Sequence, residues 1–153
     1  MKRLILKLRL YRLAAWLYET YRLIAKPRTQ GALVGLWHRK KLLLVAASYR
    51  RELSLPGGWI KRGESAGMAA QRELKEELGL KVEMADLGEP WVFTEHSSRG
   101  VNTVFIFSHE LGKQPTLKLD GLEILNCLWL SQAEALQHPI TGHLRAYLLR
   151  QPE

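Results

Sequence analysis

The sequence contains a single cysteine in 153 residues. One thiol cannot form a disulfide within the chain, and it cannot build a cysteine-based zinc cluster. Cys127 lies in the apolar run Leu125–Leu130, which favours a buried, unreactive thiol. Such sparse use of cysteine is typical of a reducing compartment, and we therefore predict a cytoplasmic protein.

Long hydrophobic runs are also missing. The longest uncharged stretch near the N-terminus is Leu13–Tyr18, which is too short for a membrane span or for the apolar region of a signal peptide. The sequence shows no internal repeat and no low-complexity segment. Apolar residues make up 46% of the chain, which predicts one globular domain with a single core rather than a disordered protein.

Acidic residues are scarce in the N-terminal segment. The formal charge is +8, and residues 1–26 carry seven basic residues against Glu19 alone. The rest of the chain is close to neutral, so a nucleic-acid partner is not favoured. Apolar side chains recur in this segment at steps of three and four, which predicts one face of a helix that ends at Pro27. They are Leu6, Leu10, Leu13, Leu17, Tyr21 and Ile24.

This basic amphipathic helix has two interpretations. We predict that it docks on the domain formed by residues 27–153, or on a second copy of the chain in a homodimer. The alternative is peripheral contact with an anionic membrane through residues 1–26.

After Pro27 the pattern changes to short strands. Apolar runs at 32–37 and 42–46 flank the polar turn His38–Lys41, which predicts a β-hairpin. A third strand is expected over Leu53–Leu55, and Pro56–Gly58 should break it.

The remainder of the chain alternates between helical and strand patterns. Ser131 and Glu134 have the spacing of a capping box, so a helix should begin there. The whole order predicts an α/β (α+β) fold in which a mixed sheet is sandwiched between helices. Further strands are predicted at about 82–94, 101–107 and 123–130, and further helices at 66–78 and 139–150.

The chemically informative stretch is a group of carboxylates in the helix predicted at 66–78. Glu73, Glu76 and Glu77 stand at i, i+3 and i+4, so they project from one helical face. Like charges placed in this way repel one another, but concentrated carboxylate oxygens are what a hard cation such as Mg²⁺ requires. Arg72 adjoins the cluster and can hold a carboxylate by a bidentate pair. Three glutamates alone are more often a solvated face than a metal site.

The complete spacing is more specific. From Gly58 the sequence has G, five residues, E, seven residues, then R-E-L-x-E-E-x-G-L ending at Leu80. This segment resembles the Nudix box at each specified position, and the predicted strand order is similar to the fold of the Nudix hydrolase family. The resemblance implies a Nudix-like α/β/α sandwich and an enzyme that uses Mg²⁺, or Mn²⁺, to hydrolyse a pyrophosphate bond.

The resemblance implies a role for each matching residue. Glu76 and Glu77 are expected to be the principal metal ligands. Glu73 is expected to be a ligand, or the base that acts on water, and Arg72 should orient it. The Gly57 carbonyl is expected to provide a further metal contact.

Two more residues of the box have structural roles in the family, and members often add an acid from outside it. By resemblance, Glu64 should tie the loop to the helix, and Gly79 should end the helix in a left-handed conformation. Glu123, six residues before Trp129, is the candidate outside acid for metal binding and catalysis. Glu95 is the alternative.

The expected substrate is a nucleotide-derived small molecule, namely a nucleoside diphosphate linked to another moiety. Nucleotide sugars, ADP-ribose and nucleoside triphosphates all meet this description. The alternatives are an RNA 5′-pyrophosphohydrolase and a non-catalytic nucleotide-binding module. Trp91 or Phe93 could stack on a base or pack in the core, and Arg99 is a further loop cation. The expected substrate contacts are Gly58, Arg50, Arg51 and Tyr49.

Overall fold

The first two strands, β1 (Arg28–His38) and β2 (Lys41–Ala47), form the hairpin that the sequence predicts. The computed structural model describes residues 16–17, 28–97 and 100–151. At the hairpin turn, Arg39 and Lys40 have φ angles of 50° and 61°. Both angles lie in the left-handed region that two-residue hairpin turns require.

In the part of the chain that the structure describes, six strands form one mixed sheet. After β1 and β2 they are β3 (Gly57–Trp59), β4 (Trp91–Ser97), β5 (Gly100–Glu110) and β6 (Ile124–Leu130). The order is β4–β5–β1–β2–β6, and β3 also pairs with β1. β1 runs parallel to β5 but antiparallel to its other neighbours.

One edge of β1 is shared between two strands. β2 pairs with β1 at Trp37 and His38, whereas β3 pairs with it over Gly31–Leu33. The segment that connects β2 to β3 therefore lies within the sheet, and the Val34 N–H donates to the Pro56 carbonyl at 3.0 Å. This arrangement brings the glycines after Pro56 beneath the helix that follows them.

Within residues 28–97 and 100–151, four helices flank the sheet. α1 (Ala66–Leu78) begins at Ser65, whose side chain accepts from the Met68 N–H, and ends at Gly79 with φ of 67°. α3 (Gln132–Leu136) starts with the predicted capping box of Ser131 and Glu134. The others are α2 (Met84–Leu87) and α4 (Gly142–Leu148).

The two faces of the sheet carry separate cores. Alternate residues of β1 point to opposite faces, so Ala32 and Val34 pack with Leu74 of α1. Leu33, between them, packs with Leu144 of α4. The predicted sandwich of a mixed sheet between helices is therefore confirmed, although it holds two cores rather than one.

One predicted element is wrong, and another is confirmed only in part. Leu53–Leu55 makes only isolated bridges, and the third strand is formed by Gly57–Trp59. The strand predicted over 82–94 is confirmed from Trp91, where β4 begins, but Met84–Leu87 forms the helix α2. The glycine backbone pairs with β1 although its sequence indicates a break.

The predicted N-terminal helix lies almost wholly outside the described residues. Trp16 and Leu17 are helical and exposed, and the docking of residues 1–26 stays a prediction. In the part of the chain that the structure describes, no helix has the length and hydropathy needed to cross a membrane.

A half-buried histidine at the start of α4 predicts a pH-dependent stability. His143 Nε2 lies 2.9 Å from Thr141 Oγ1 and 3.4 Å from Ser54 Oγ. Burial, with a smaller contribution from the charge of Arg50, lowers the pKa of His143 to about 4. The unfolded chain therefore takes up this proton first as the pH falls, so stability present above about pH 6.5 is lost towards pH 4.

The expected loss from this one group is at most about 3 kcal/mol. Urea unfolding at pH 7.5 and pH 4.5 should show a smaller difference between the two pH values in His143→Gln than in the wild type. His138→Gln changes an exposed histidine and should keep the wild-type difference. Equal pH dependence in His143→Gln and the wild type would contradict the assignment.

Candidate active site

A single guanidinium connects the loop before α1 to the carboxylates of the helix. Arg72 makes a bidentate pair with Glu64, at 2.8 and 2.9 Å. Its Nη1 donates to Glu73 at 2.6 Å and to Glu76 at 3.2 Å, and its Nη2 donates to the Trp59 carbonyl at 2.9 Å. The arginine is thus in contact with two of the three helix glutamates, and its bidentate partner lies outside that cluster.

Glu64 is ordered from the other side by its own loop. The Lys61 N–H donates to Glu64 Oε2 at 2.9 Å. The hydrogen bond from Arg72, followed by that from Lys61, lowers the pKa of Glu64 to about 2. Glu64 is therefore ionised at neutral pH and joins the loop to the helix.

Glu77 is the most deeply placed carboxylate of the cluster. Only 3% of the surface of Glu77 is exposed. Its Oε2 accepts a hydrogen bond from the Gly57 N–H at 2.8 Å. Burial raises the pKa of Glu77 to about 8, the Gly57 N–H opposes this shift, and the nearby charges of Glu123 and Glu73 increase it. A buried carboxylate beside other carboxylates is unfavourable without a positive charge.

Glu73 lies against the glycine strand. A Cβ atom on Gly58 would stand 2.6 Å from Glu73 Oε1, so a side chain at this position would displace the carboxylate. Burial raises the pKa of Glu73, while Arg72 lowers it and the charges of Glu123 and Glu76 raise it further. β3 therefore brings its backbone directly against two of the box glutamates.

The two candidate outside acids lie in different places. Glu123 precedes β6 and interacts electrostatically with Glu73 and Glu77. Its carbonyl accepts from the Ser48 N–H at 2.8 Å. Glu95 is exposed on β4, where it pairs with Asn102 of β5. Glu123 is thus near enough to act on the charges of Glu73 and Glu77, and no such effect of Glu95 on them is seen.

The sequence did not draw attention to Asp120, which organises the loop before Glu123. Its carboxylate accepts from the N–H groups of Leu122, Glu123 and Ile124. The sequence Asp120-Gly121 is a common turn signal, and this was the one available indication.

The expected substrate contacts are only partly gathered around the carboxylates. Tyr49 interacts electrostatically with Glu123 and Glu77, and burial raises its pKa. Arg50 donates to the Tyr49 hydroxyl at 2.8 Å and lies 4.8 Å from the centre of its ring. Arg51 is exposed.

The aromatic candidates of β4 lie elsewhere. Trp91 packs into the core on the α4 side, with ring contacts to Phe93 and Tyr147. Alternate residues of a strand share a face, so both rings lie on the face of the sheet opposite α1. Arg99 falls outside the described residues.

A cavity of about 570 Å³ opens at the beginning of β1. It contains two side chains that can carry positive charge, Arg28 and His96, and none of the box carboxylates. Its other lining residues are Thr29, Gln30, Ile60, Val101 and Thr103. No motif marks this cavity, because it arises where the ends of separate strands meet.

The carboxylate group fits a divalent cation by the chemistry of its donors. Glu73, Glu76, Glu77 and Glu123 offer hard oxygen ligands, and Mg²⁺ and Mn²⁺ bind such ligands. Among the residues that the structure describes, no three acidic, cysteine or imidazole side chains already stand in a metal-binding arrangement. Arg72 holds Glu73 and Glu76, so a bound cation would share these carboxylates with the guanidinium.

Comparison with known proteins identifies the family. The model of the NUDIX domain matches residues 27–151, whereas the search of curated proteins found no match. A MutT NUDIX hydrolase from Burkholderia pseudomallei superposes with a TM-score of 0.72 at 17% identity, over 82% of this chain and 99% of that one.

Two other solved structures share the fold. An Ap4A hydrolase from C. elegans has a TM-score of 0.67 at 19% identity, over 79% of this chain and 93% of its own. The dihydroneopterin triphosphate pyrophosphohydrolase of E. coli has a TM-score of 0.64 at 22% identity, over 78% and 91%. With the complete box and a domain match over most of its length, the chain belongs to the Nudix hydrolase family.

Proposed function

We propose that this protein hydrolyses a pyrophosphate bond in a nucleoside diphosphate linked to another moiety, with Mg²⁺ or Mn²⁺ as cofactor. The main support is the buried carboxylate of Glu77, on which the nearby negative charges of Glu73 and Glu123 act. A cation would compensate this charge, and a pyrophosphate would bring its own negative charge to the cation. Names of structural neighbours, such as Ap4A hydrolase, agree with a nucleotide substrate.

The proposed metal ligands are Glu76 and Glu77, with Glu73, Glu123 and the Gly57 carbonyl completing the set. A bound divalent cation supplies charge neutralisation at the pyrophosphate and an activated water. Because the Gly57 N–H donates to Glu77, the same residue orients one ligand and offers its carbonyl as another.

The remaining residues of the site position groups or transfer a proton. Arg72 restrains Glu73, which is the proposed base for the attacking water. Gly58 lies directly against the Glu73 carboxylate, and we assign its backbone to contact with a substrate that reaches this carboxylate. Tyr49 and Arg50 form a joined pair beside the carboxylates, and Arg51 follows them. We assign these three side chains to contacts with substrate phosphate or base.

The test is a panel of nucleotide sugars, ADP-ribose, dinucleoside polyphosphates, nucleoside triphosphates and a 5′-triphosphorylated RNA, with released phosphate and nucleotide measured. At least one small nucleotide should be hydrolysed in Mg²⁺ or Mn²⁺, and EDTA should abolish the activity. Turnover of the RNA alone would favour the RNA enzyme. Nucleotide binding without turnover across the panel would favour a binding module.

Glu123→Gln and Glu95→Gln form a matched pair for the outside acid. We expect Glu123→Gln to lower kcat about tenfold or more, because the variant loses a carboxylate that we assign to the metal-binding set. Glu95→Gln should stay within about twofold, since surface changes away from such a site are usually near neutral. Loss of activity in the Glu95 variant alone would show that the outside acid is misassigned.

A further inference from the structure

The loop before β6 is built around the carboxylate of Asp120. Asp120 Oδ1 accepts from the Ile124 N–H at 2.8 Å and from the Leu122 N–H at 3.3 Å. The Glu123 N–H donates to both carboxylate oxygens, at 3.2 and 3.0 Å. Three successive backbone donors thus converge on one side chain, and Glu123 is the middle one.

The same loop is attached to the C-terminal end of α1. The Asp120 N–H donates to the Glu77 carbonyl at 3.2 Å, and the Lys118 N–H donates to the Leu78 carbonyl at 2.9 Å. A Cβ atom on Gly79 would stand 3.1 Å from Lys118 Cβ, so the absence of a side chain there lets the loop lie close. Asp120 therefore contacts the helix that carries the box and the loop that carries Glu123.

The backbone of Glu123 is held from two directions. Its N–H donates to the Asp120 carboxylate. Its carbonyl accepts from the Ser48 N–H at the end of β2. With both backbone groups fixed, the start of its side chain has a defined position relative to Glu77. We propose that Asp120 is a positioning residue that orients Glu123 towards the carboxylate cluster, an inference that rests on the proposed metal-binding role of Glu123.

Two effects of Asp120 must be separated, since its side chain carries both a charge and hydrogen-bond acceptors. Oδ1 accepts from all three N–H groups, and the side-chain oxygen of asparagine can take its place. Asp120→Asn therefore removes the charge and keeps most of the hydrogen bonding, whereas Asp120→Ala removes both. Asp86→Ala, on the exposed surface of α2, is the control for loss of one negative charge.

The experiment measures Mn²⁺ binding to the purified full-length protein without substrate, by the electron paramagnetic resonance signal of free Mn²⁺. Asp120→Ala should weaken binding about tenfold, while Asp120→Asn and Asp86→Ala should stay within about threefold. Each variant is also introduced into a Glu123→Gln background. There Asp120→Ala should have less than about a twofold effect, because two residues that act through one group are not additive.

The outcomes separate this inference from the function on which it rests. If Glu123→Gln weakens Mn²⁺ binding and Asp120→Ala does not, the positioning role is wrong while the metal site stands. Equal weakening by the Asn and Ala variants, or an Ala effect that persists beside Glu123→Gln, also overturns it. If Glu123→Gln itself leaves Mn²⁺ binding unchanged, the role of Glu123 fails and that of Asp120 fails with it.

Thermal melting accompanies each titration. If Asp120→Ala unfolds below the assay temperature, Asp120→Ser replaces it, because serine retains an acceptor but does not reach all three N–H groups. The proposal is then supported if Asp120→Ser weakens Mn²⁺ binding more than Asp120→Asn does. Binding equal to that of Asp120→Asn contradicts it.

Discussion

Replacing Glu77 with glutamine should lower kcat by roughly 100-fold or more and leave the fold intact. Glutamine has nearly the same shape, and its side-chain oxygen can still accept the hydrogen bond from the Gly57 N–H, which Glu77 accepts at 2.8 Å. It lacks the negative charge that would hold the cation, and loss of one preorganised electrostatic contact typically lowers turnover by about two to three orders of magnitude. The measurement is kcat at saturating Mg²⁺ on a substrate found with the panel.

The stability of this variant provides the internal control. Because burial of Glu77 disfavours its ionised form and raises its pKa to about 8, the neutral glutamine should not lower the melting temperature of the metal-free protein. Glu76→Gln should lower kcat to a similar degree, whereas Glu110→Gln, at the exposed end of β5, should not. Turnover near that of the wild type in both Glu77→Gln and Glu76→Gln would rule out the assigned ligands.

Much of the fold follows from local patterns that the sequence displays. The apolar runs on either side of Arg39 and Lys40 predict the hairpin, and the spacing of Ser131 and Glu134 predicts the start of α3. These features depend on residues close together in the chain, so periodicity and capping chemistry are sufficient. The predicted α/β/α arrangement follows from the order of such elements.

The errors occur where tertiary pairing overrides local preference. Gly57 and Gly58 have weak strand propensity. They form a strand because β2 leaves part of the β1 edge, Gly31–Leu33, free to pair with β3. The parallel partner of β1 is β5, which comes much later in the chain, so the free edge is not apparent from the sequence. The first part of the strand predicted over 82–94 is wrong for a related reason, because Met84–Leu87 forms the helix α2, which packs its Leu87 into the core.

The candidate site shows the same division. The box spacing marks the residues to consider, but it does not reveal that Arg72 contacts Glu64, Glu73 and Glu76 at once. The hydrogen bonds from three N–H groups to Asp120 are local, yet the contact of this loop with α1 joins residues far apart in sequence. Such contacts form only when the backbone is packed, so local sequence patterns do not predict them.

Replacing Gly57 with alanine should destabilise the protein more than the same replacement at Gly63 or Gly112. Its φ of 131° is one that side chains rarely adopt, and a Cβ atom would overlap the Ala32 carbonyl and stand 2.8 Å from Leu33 Cα. Both neighbours belong to the backbone of β1, so a rotamer change cannot relieve the overlap. Backbone strain and overpacking together are expected to cost about 2–5 kcal/mol.

The two reference glycines separate the causes of this loss. Gly63 has φ of 80° with open space around its Cβ position, so Gly63→Ala carries only the backbone strain, about 1 kcal/mol. Gly112 has open space and a φ outside the left-handed region, so Gly112→Ala should be nearly neutral. Urea unfolding should rank the losses of unfolding free energy as Gly57→Ala, then Gly63→Ala, then Gly112→Ala.

The same strand also bears on catalysis. Because β3 presents the N–H that donates to Glu77, Gly57→Ala should lose turnover even under conditions where it remains folded. An unfolding free energy for Gly57→Ala equal to that of Gly63→Ala would show that β1 yields to the extra methyl group, and that the close approach of the two strands is not required.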